Sequence, residues 1–509
     1  MGKRGAGVSE AAFRTFILVL GLAAGLILII NLSRTLGVYA IFTYIILTSS
    51  GFVCLRILTP SGKSNASWVI YMLFAPVFWL APFFIWGRGY AAHKRRDNLE
   101  RAEKKLSARR LEDEEDLLSE TLRLSAAHPQ AGLGAKLLYD KGFPVRSYTS
   151  YAYYPDAKAL YEAVLTDLKN AEKFVFIEES KVETGLLWDR IKIILIEKAA
   201  NGVEIRILTG AGGEGEIGVD IFRELDVHGM KVLRLQAGAS FFKQWLPDSP
   251  ETRGIVVIDG VIAYSGPSYI PAGGAGASFQ GAGIRLTGRA AWSMTSAFIA
   301  MWEAKSGEAQ DNNTALYEPK KEKSTVGNGF VLPFIDKPAD HAKSILQTIR
   351  LRIINGASRF IYISLPLLHT DRALEEALIT AACSGVDIRI VITGCDRRIN
   401  ITTSRGAYLR LLGAGVRIFE QDLNNAGATT CVVLCDDDQA VISYSADITS
   451  ACSYGNAVWL CFVDGLEDIK KNFELMLDAC VEISPEIWKN SPLLTKISSV
   501  VARSYQGLL

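Results

Sequence analysis

Two stretches of the chain, TRGIVVIDGVIAYSG from Thr252 and TCVVLCDDDQAVISYS from Thr430, set a hydroxyl and a carboxylate around an apolar strand-like run. The first reads Thr252-x-Gly254-x4-Asp259. The second reads Thr430-x-Val432-x4-Asp437 or, one residue earlier, Thr429-x-Cys431-x4-Asp436, because three consecutive aspartates leave the register open. Neither register holds a histidine or a lysine, so no imidazole or ammonium group is available there. A threonine hydroxyl attacks only with a neighbouring general base to take its proton. Asp259 and the aspartates at 436–438 also suit a plainer task, accepting backbone N–H groups at turns.

The five histidines lie elsewhere in the sequence. His341-Ala-Lys343 has Thr348 where a matching aspartate would stand, and it falls in a helical run before Ile345. His369 follows the strand-like RFIYISLPLL and, with Asp447, is the candidate for relocated chemistry; a surface-loop histidine is the alternative reading. His93, His128 and His228 read as peripheral. The Gly-rich string TGAGGEGE at 209–216 lacks a following Lys-Ser/Thr and carries two glutamates, which makes it a βα loop rather than a phosphate cradle. Seven of the eight cysteines follow residue 380, several in apolar runs, which points to buried thiols in a reducing compartment. Cys431 and Cys435 share one side of a strand, but no histidine is nearby; no metal site and no cofactor is expected.

The elements that position these segments repeat. NGVEIRILTG at 201–210 returns as SGVDIRIVITG at 384–394, AEKFVFIE from Ala171 as ASRFIYIS from Ala357, and HGMKVLRL near Gly229 as LGAGVRIF near Gly413. One ordered set of near-constant offsets means a duplicated lobe. Within the first copy, 157–170 has helical periodicity, 173–177 is strand-like, 186–200 is an amphipathic helix and 203–209 a strand. Alternating helices and buried strands predict an α/β fold, with two lobes face to face about a pseudo-twofold axis and any shared site in the cleft between them.

Ahead of the lobes, 15–32, 38–58 and 68–86 are apolar runs of about the twenty residues that cross a bilayer as helix. Trp68 and Trp86 bracket the third, and Arg88, Lys94, Arg95 and Arg96 follow it. Eight Lys and Arg (Arg34, Arg88, Lys94, Arg95, Arg96, Arg101, Lys104, Lys105) on the side of the large domain, against five (Lys3, Arg4, Arg14, Arg56, Lys63) on the other, place that domain in the cytoplasm of a multi-pass cell-membrane protein. The expected organisation is a membrane anchor at 1–90 with three transmembrane helices, a charged helical connector at 91–133, and lobes at 134–322 and 323–509. A formal charge of +1 over 509 residues gives no sign of a nucleic-acid partner.

Taken together, the chain resembles bacterial cardiolipin synthases of the phospholipase D superfamily over nearly its full length. The resemblance runs through SNASWVIYMLFAPVFWLAPFFIWGR at the third span, GAGIRLTGRAAWSMTSAFIAMWEA at 282–304 and YGNAVWLCFVD at 454–464. It implies that each motif strand should carry His-x-Lys-x4-Asp, one histidine attacking the phosphodiester, the other handling the leaving group's proton, and the lysines holding phosphate oxygens. Here both histidines and both lysines are replaced, and the asparagine expected after each motif is Tyr269 in the first copy and Asp447 in the second. The resemblance also implies a phosphohistidine intermediate, for which a phosphothreonine diester would be a slow substitute, and it places the end of the strand before His369 at the cleft.

These features predict a membrane-anchored, catalytically degenerate relative that binds phospholipid such as phosphatidylglycerol or cardiolipin, or modulates a membrane partner such as an active homologue. Two alternatives differ in kind: a working phosphatidyltransferase with relocated residues, and a membrane scaffold without a lipid ligand.

Overall fold

The computed structural model describes residues 114–146, 149–179, 181–210, 224–235, 253–266, 269–270, 281–307, 317–318, 329–336, 344–368, 370–393, 405–421, 430–444 and 455–484, with Asn31, Gly37, Arg101 and Lys104 besides. Apart from Asn31 and Gly37, these belong to one compact unit spanning 96–500. Apart from Asn31, the three expected spans lie outside the described residues, among which no helix is long and apolar enough to cross a membrane.

Two helices, α1 (Glu114–Ala127) and α2 (Pro129–Asp140), precede the first lobe. That lobe runs β1 (Thr149–Tyr154), α3 (Ala157–Lys169), β2 (Phe174–Glu179), β3 (Lys181–Val182), α4 (Leu186–Ala200), β4 (Glu204–Gly210), β5 (Lys231–Leu235), β6 (Ile255–Ile258), β7 (Ile262–Ser265), β8 (Tyr269–Ile270), β9 (Gly283–Gly288) and α5 (Ala291–Ser306). The second runs β10 (Phe330–Asp336), α6 (Ile345–Gly356), β11 (Phe360–Leu365), α7 (Arg372–Cys383), β12 (Asp387–Ile392), α8 (Tyr408–Gly413), β13 (Arg417–Gln421), β14 (Cys431–Cys435), β15 (Gln439–Ser443), β16 (Gly455–Cys461), α9 (Leu466–Asp478) and β17 (Cys480–Ile483).

The duplication is plain in the strand order. The first sheet is β1-β9-β7-β6-β2-β4-β5, and the second is β10-β16-β15-β14-β11-β12-β13 with β17 added at its edge. In both, the three strands joined through helices pair in parallel and the motif strand runs antiparallel to the first of them. Strand side chains alternate between faces, so the first sheet feeds two cores. Val175, Ile177, Val256 and Ile258 pack under α3 and α4, while Phe174, Phe176, Ile255 and Val257 join a larger core continuous with the second lobe.

Helix α5 belongs to that larger core and is buried on every side from Ala291 to Trp302. An apolar periphery all round marks a helix enclosed by protein. It packs on β6, β7 and β9 of its own lobe and on β10 of the other. Two of its polar side chains are satisfied within the helix, Thr295 Oγ1 donating to Ala291 O and Ser296 Oγ to Ser293 O.

The sequence reading differs from the structure in three places. Strand β2 continues past Ile177 through Glu178 and Glu179, because both carboxyls find buried polar partners. Helix α2 runs across the expected boundary at 133/134 and packs against α6 of the second lobe. At Gly134 a Cβ would come within 2.7 Å of the Trp459 ring, so the helix approaches β16 only with glycine there. Cys383 is exposed, whereas Cys431, Cys435 and Cys461 are buried as expected of packing thiols.

Candidate functional site between the lobes

Each motif strand leads into a tight turn that forces its aspartate into the left-handed region, at φ 52° for Asp259 and 53° for Asp436. Aspartate is among the few residues that tolerate this backbone, since its short side chain can bond locally. The Asp259 carboxylate accepts the N–H groups of Glu172, Lys173 and Phe174 at 2.8, 2.7 and 2.9 Å. The Asp436 carboxylate accepts those of Ser358, Arg359 and Phe360 at 2.6, 2.8 and 2.8 Å, together with the Ser358 hydroxyl at 2.9 Å. Burial alone would raise the Asp436 carboxyl, but these donors outweigh it and hold the group below its ordinary value.

This correspondence settles the register left open by the three aspartates. Asp436, not Asp437, matches Asp259, so the second motif is Thr429-x-Cys431-x4-Asp436. The pairing agrees: β6 places Ile258 opposite Val175, and β14 places Cys435 opposite Ile361. Thr430 and Val432 are therefore displaced by one from the expected positions, and Val432, opposite Ser364, faces the other side of the strand from Cys431. Asp437 stands on the outside of the turn, in ion pairs with Lys470 at 2.9 Å and Arg359 at 3.4 Å.

At the opposite end of the motif strands, roughly 16 Å away over five extended residues, the two lobes touch. The Gly254 carbonyl accepts Gly266 N–H at 3.0 Å within its hairpin and the Asn456 side-chain amide at 3.2 Å from the second lobe. The same Asn456 Nδ2 donates to Ser265 Oγ at 2.7 Å, and Thr430 Oγ1 donates to Ala282 O at 3.0 Å. The three side chains in these contacts, Asn456, Ser265 and Thr430, are buried.

Between Thr252 and Gly254 stands Arg253, whose guanidinium is enclosed. It donates to Glu178 through Nε at 2.9 Å and Nη2 at 2.8 Å, and Nη2 also reaches Ala297 O of α5 at 3.0 Å. Both side chains are 0% exposed. A cation bound this way is spent on its partner and offers nothing to a phosphate. Next to it, burial pushes the Glu179 carboxyl well above the ordinary range, reinforced by the Glu178 charge, and its hydrogen bond to Tyr161 only partly opposes this.

Of the other candidates, Thr252, Thr429, His369, Asp447, His341 and Lys343 lie outside the described residues. The backbone of Tyr269 forms a two-residue parallel ladder with Lys181. His128 begins α2 and stacks on Phe462, with ring centroids 3.3 Å apart, and burial lowers its pKa. No group of potential metal ligands occurs among the described residues. Arg253, Glu178 and Asn456 escaped the sequence reading, although a lone arginine and a pair of glutamates in apolar strands were a visible signal of buried charge.

Two mixed sheets of matching strand order, joined across their motif strands, define a duplicated phospholipase D-like fold. The family model for the cardiolipin synthase, phospholipase D-like domain matches residues 351–467. The chain is 28% identical over 397 residues to an uncharacterized protein of Streptococcus mutans, covering 76% of this chain and 85% of that one. It is 25% identical to a cardiolipin synthase of Alkalihalophilus pseudofirmus, covering 87% and 88%, and 23% identical to one of Listeria monocytogenes, covering 87% and 93%. Among solved structures, phosphatidylserine synthase of Haemophilus influenzae superposes with a TM-score of 0.51 at 9% identity, covering 71% of this chain and 97% of that one. The chain is thus similar to cardiolipin synthases and to other phospholipase D-like proteins.

Proposed function

We propose that this protein is a membrane-anchored, cardiolipin synthase-like phospholipid-binding protein that does not turn lipid over by the phosphohistidine route. The observation that carries this reading is the state of the motif ends at the lobe contact. Where a lysine would meet phosphate oxygens, the Gly254 carbonyl is capped by Asn456, and the only cation of the first motif, Arg253, is closed in a bidentate pair with Glu178. Cation contacts to phosphoryl oxygens contribute several kcal/mol of barrier lowering in such chemistry, and both lysines are missing here. The retained lobes and the names of the cardiolipin synthase relatives support phospholipid as the ligand class, and the apolar runs ahead of residue 87 support a membrane anchor.

The test is to incubate the purified full-length protein with phosphatidylglycerol and measure cardiolipin and glycerol. No product above a protein-free control is expected, while phosphatidylglycerol or cardiolipin should copurify. Robust product that survives Thr252→Ala and Thr429→Ala would overturn the degenerate reading in favour of relocated catalytic residues, His369 first among them.

A further inference from the structure

The two lobes end their sheets differently. In the second, β17 pairs antiparallel with β13; in the first, β5 stands in the place of β13, and no further strand pairs with it among the described residues. The equivalence holds residue by residue. Phe174 and Phe176 of β2 set Glu204 and Arg206 of β4 where Phe360 and Tyr362 of β11 set Asp387 and Arg389 of β12, and these in turn align Lys231 of β5 with Arg417 of β13. The side chains agree. Arg206 donates to Glu204 through Nε at 2.8 Å and Arg389 to Asp387 through Nε at 2.9 Å, and each guanidinium rests over the ring beside it, Phe176 or Tyr362.

At the end of this row the likeness stops. Arg417 donates to Glu482 of β17 through Nε at 2.8 Å and Nη2 at 2.9 Å. Lys231, 57% exposed, reaches the Glu204 carboxylate of its neighbouring strand at 3.8 Å, a group that Arg206 already holds at 2.6 Å. Burial follows the same difference, since Ile418 and Phe419 are buried under their covering strand while Val232 and Leu233 are half-buried. Arg234 occupies the register position of Glu420, so the first edge is also the more basic one. Strand β17 follows α9 directly and brings Val481 and Ile483, whereas the stretch after α5, EAQDNNTAL at 308–316, has Thr314 as its one β-branched residue and no aromatic; it lies outside the described residues.

An edge strand offers a row of backbone donors and acceptors that templates another strand. Strand β17 shows what such an edge takes: Ile483 stands opposite Ile418, and Glu482, opposite Phe419, reaches the basic residue two positions along. We propose that the outer edge of β5 docks an extended acidic segment of a partner protein by antiparallel strand addition, with an apolar side chain opposite Val232 and a carboxylate that meets Lys231 as Glu482 meets Arg417.

The experiment uses the full-length protein and a fluorescent peptide of residues 478–486 with Cys480→Ser, the segment that covers the equivalent edge, carrying a diazirine amino acid at the position of Val481. Adducts located by peptide mass spectrometry are expected within 231–235. A peptide with Glu482→Lys should bind about fivefold more weakly, the scale of one exposed ion pair. Lys231→Glu, at an exposed position, should reverse this preference, while Arg372→Glu on the surface of α7 should leave it unchanged. Adducts confined to other segments, or equal binding of both peptides to wild type and Lys231→Glu, would overturn the proposal. Binding seen only when 308–316 is replaced by a Gly/Ser linker would overturn it by showing that the chain covers its own edge. Self-association in sedimentation that the peptide disperses would overturn it in favour of a second copy.

Discussion

Asn456 of the second lobe and Ser265 of the first meet at 2.7 Å with both side chains buried, and the same amide also reaches the Gly254 carbonyl. The second lobe thereby closes over the end of the first motif strand. Asn456→Ala would remove two buried hydrogen bonds at once, though the Gly254 carbonyl keeps Gly266 N–H, and should destabilise the protein by about 2 kcal/mol. In a double-mutant cycle, Ser265→Ala should cost markedly less in the Asn456→Ala background than in the wild type. Additive effects in chemical denaturation would show that the contact carries no coupling.

The Arg253 and Glu178 pair makes a sharper prediction, because neither charge has access to water. Removing one partner leaves the other uncompensated, so Glu178→Gln and Arg253→Met should each cost about 3–5 kcal/mol. The double replacement Glu178→Met with Arg253→Met should be less destabilised than either single variant, since no buried charge is left. Thermal transitions of the three proteins rank them directly.

The turn aspartates are expected to act as anchors. Asp259→Ala and Asp436→Ala each release three backbone donors and place alanine at a left-handed φ, which should cost about 3 kcal/mol or more. Asn at either position retains part of the bonding and tolerates the backbone, so it should recover a good share. The Asp436 carboxyl lies below its ordinary value in the folded protein. Its stabilisation is present above the unfolded-state pKa and disappears as pH falls through the folded one. Wild type should therefore lose stability in acid, below about pH 4, more steeply than Asp436→Asn.

Asp336, at the end of β10, behaves in the opposite sense. Burial pushes its carboxyl up to about 6, with N–H donation from Leu346 opposing only in part. A raised carboxyl pKa means that the folded state holds the proton longer, so the favourable contribution is complete below the unfolded value and is lost as pH rises through about 6. Asp336→Asn should gain on the wild type between pH 4 and pH 7 by up to about 3 kcal/mol. Denaturation midpoints at the two pH values measure the difference.

Much of the fold was legible in local pattern. Helix α3 begins where the periodicity does, after Asp156, whose carboxylate caps it by accepting Ala159 N–H at 2.8 Å. Helix α4 spans the expected 186–200, and the repeated apolar strands fall into two sheets of the same order. Strand β2 runs past the strand-like 173–177 through Glu178 and Glu179, and only their partners from distant sequence, Arg253 and Tyr161, stabilise that buried continuation. The helix across 133/134 was missed for a similar reason, since it is the Trp459 ring of the second lobe that receives it.

The sequence by itself determined the duplication, the α/β class, the superfamily resemblance and the absence of histidine and lysine from both motif positions, because these rest on residue identity and on periodicity along the chain. Tertiary structure alone decided that Asp436 is the partner of Asp259, that Arg253 is spent on Glu178, and that Asn456 caps Gly254. The physical reason is that a run of three aspartates has no register until backbone donors from another strand select one carboxylate. Likewise, a charge in an apolar strand has no meaning until the fold supplies, or withholds, its counter-charge.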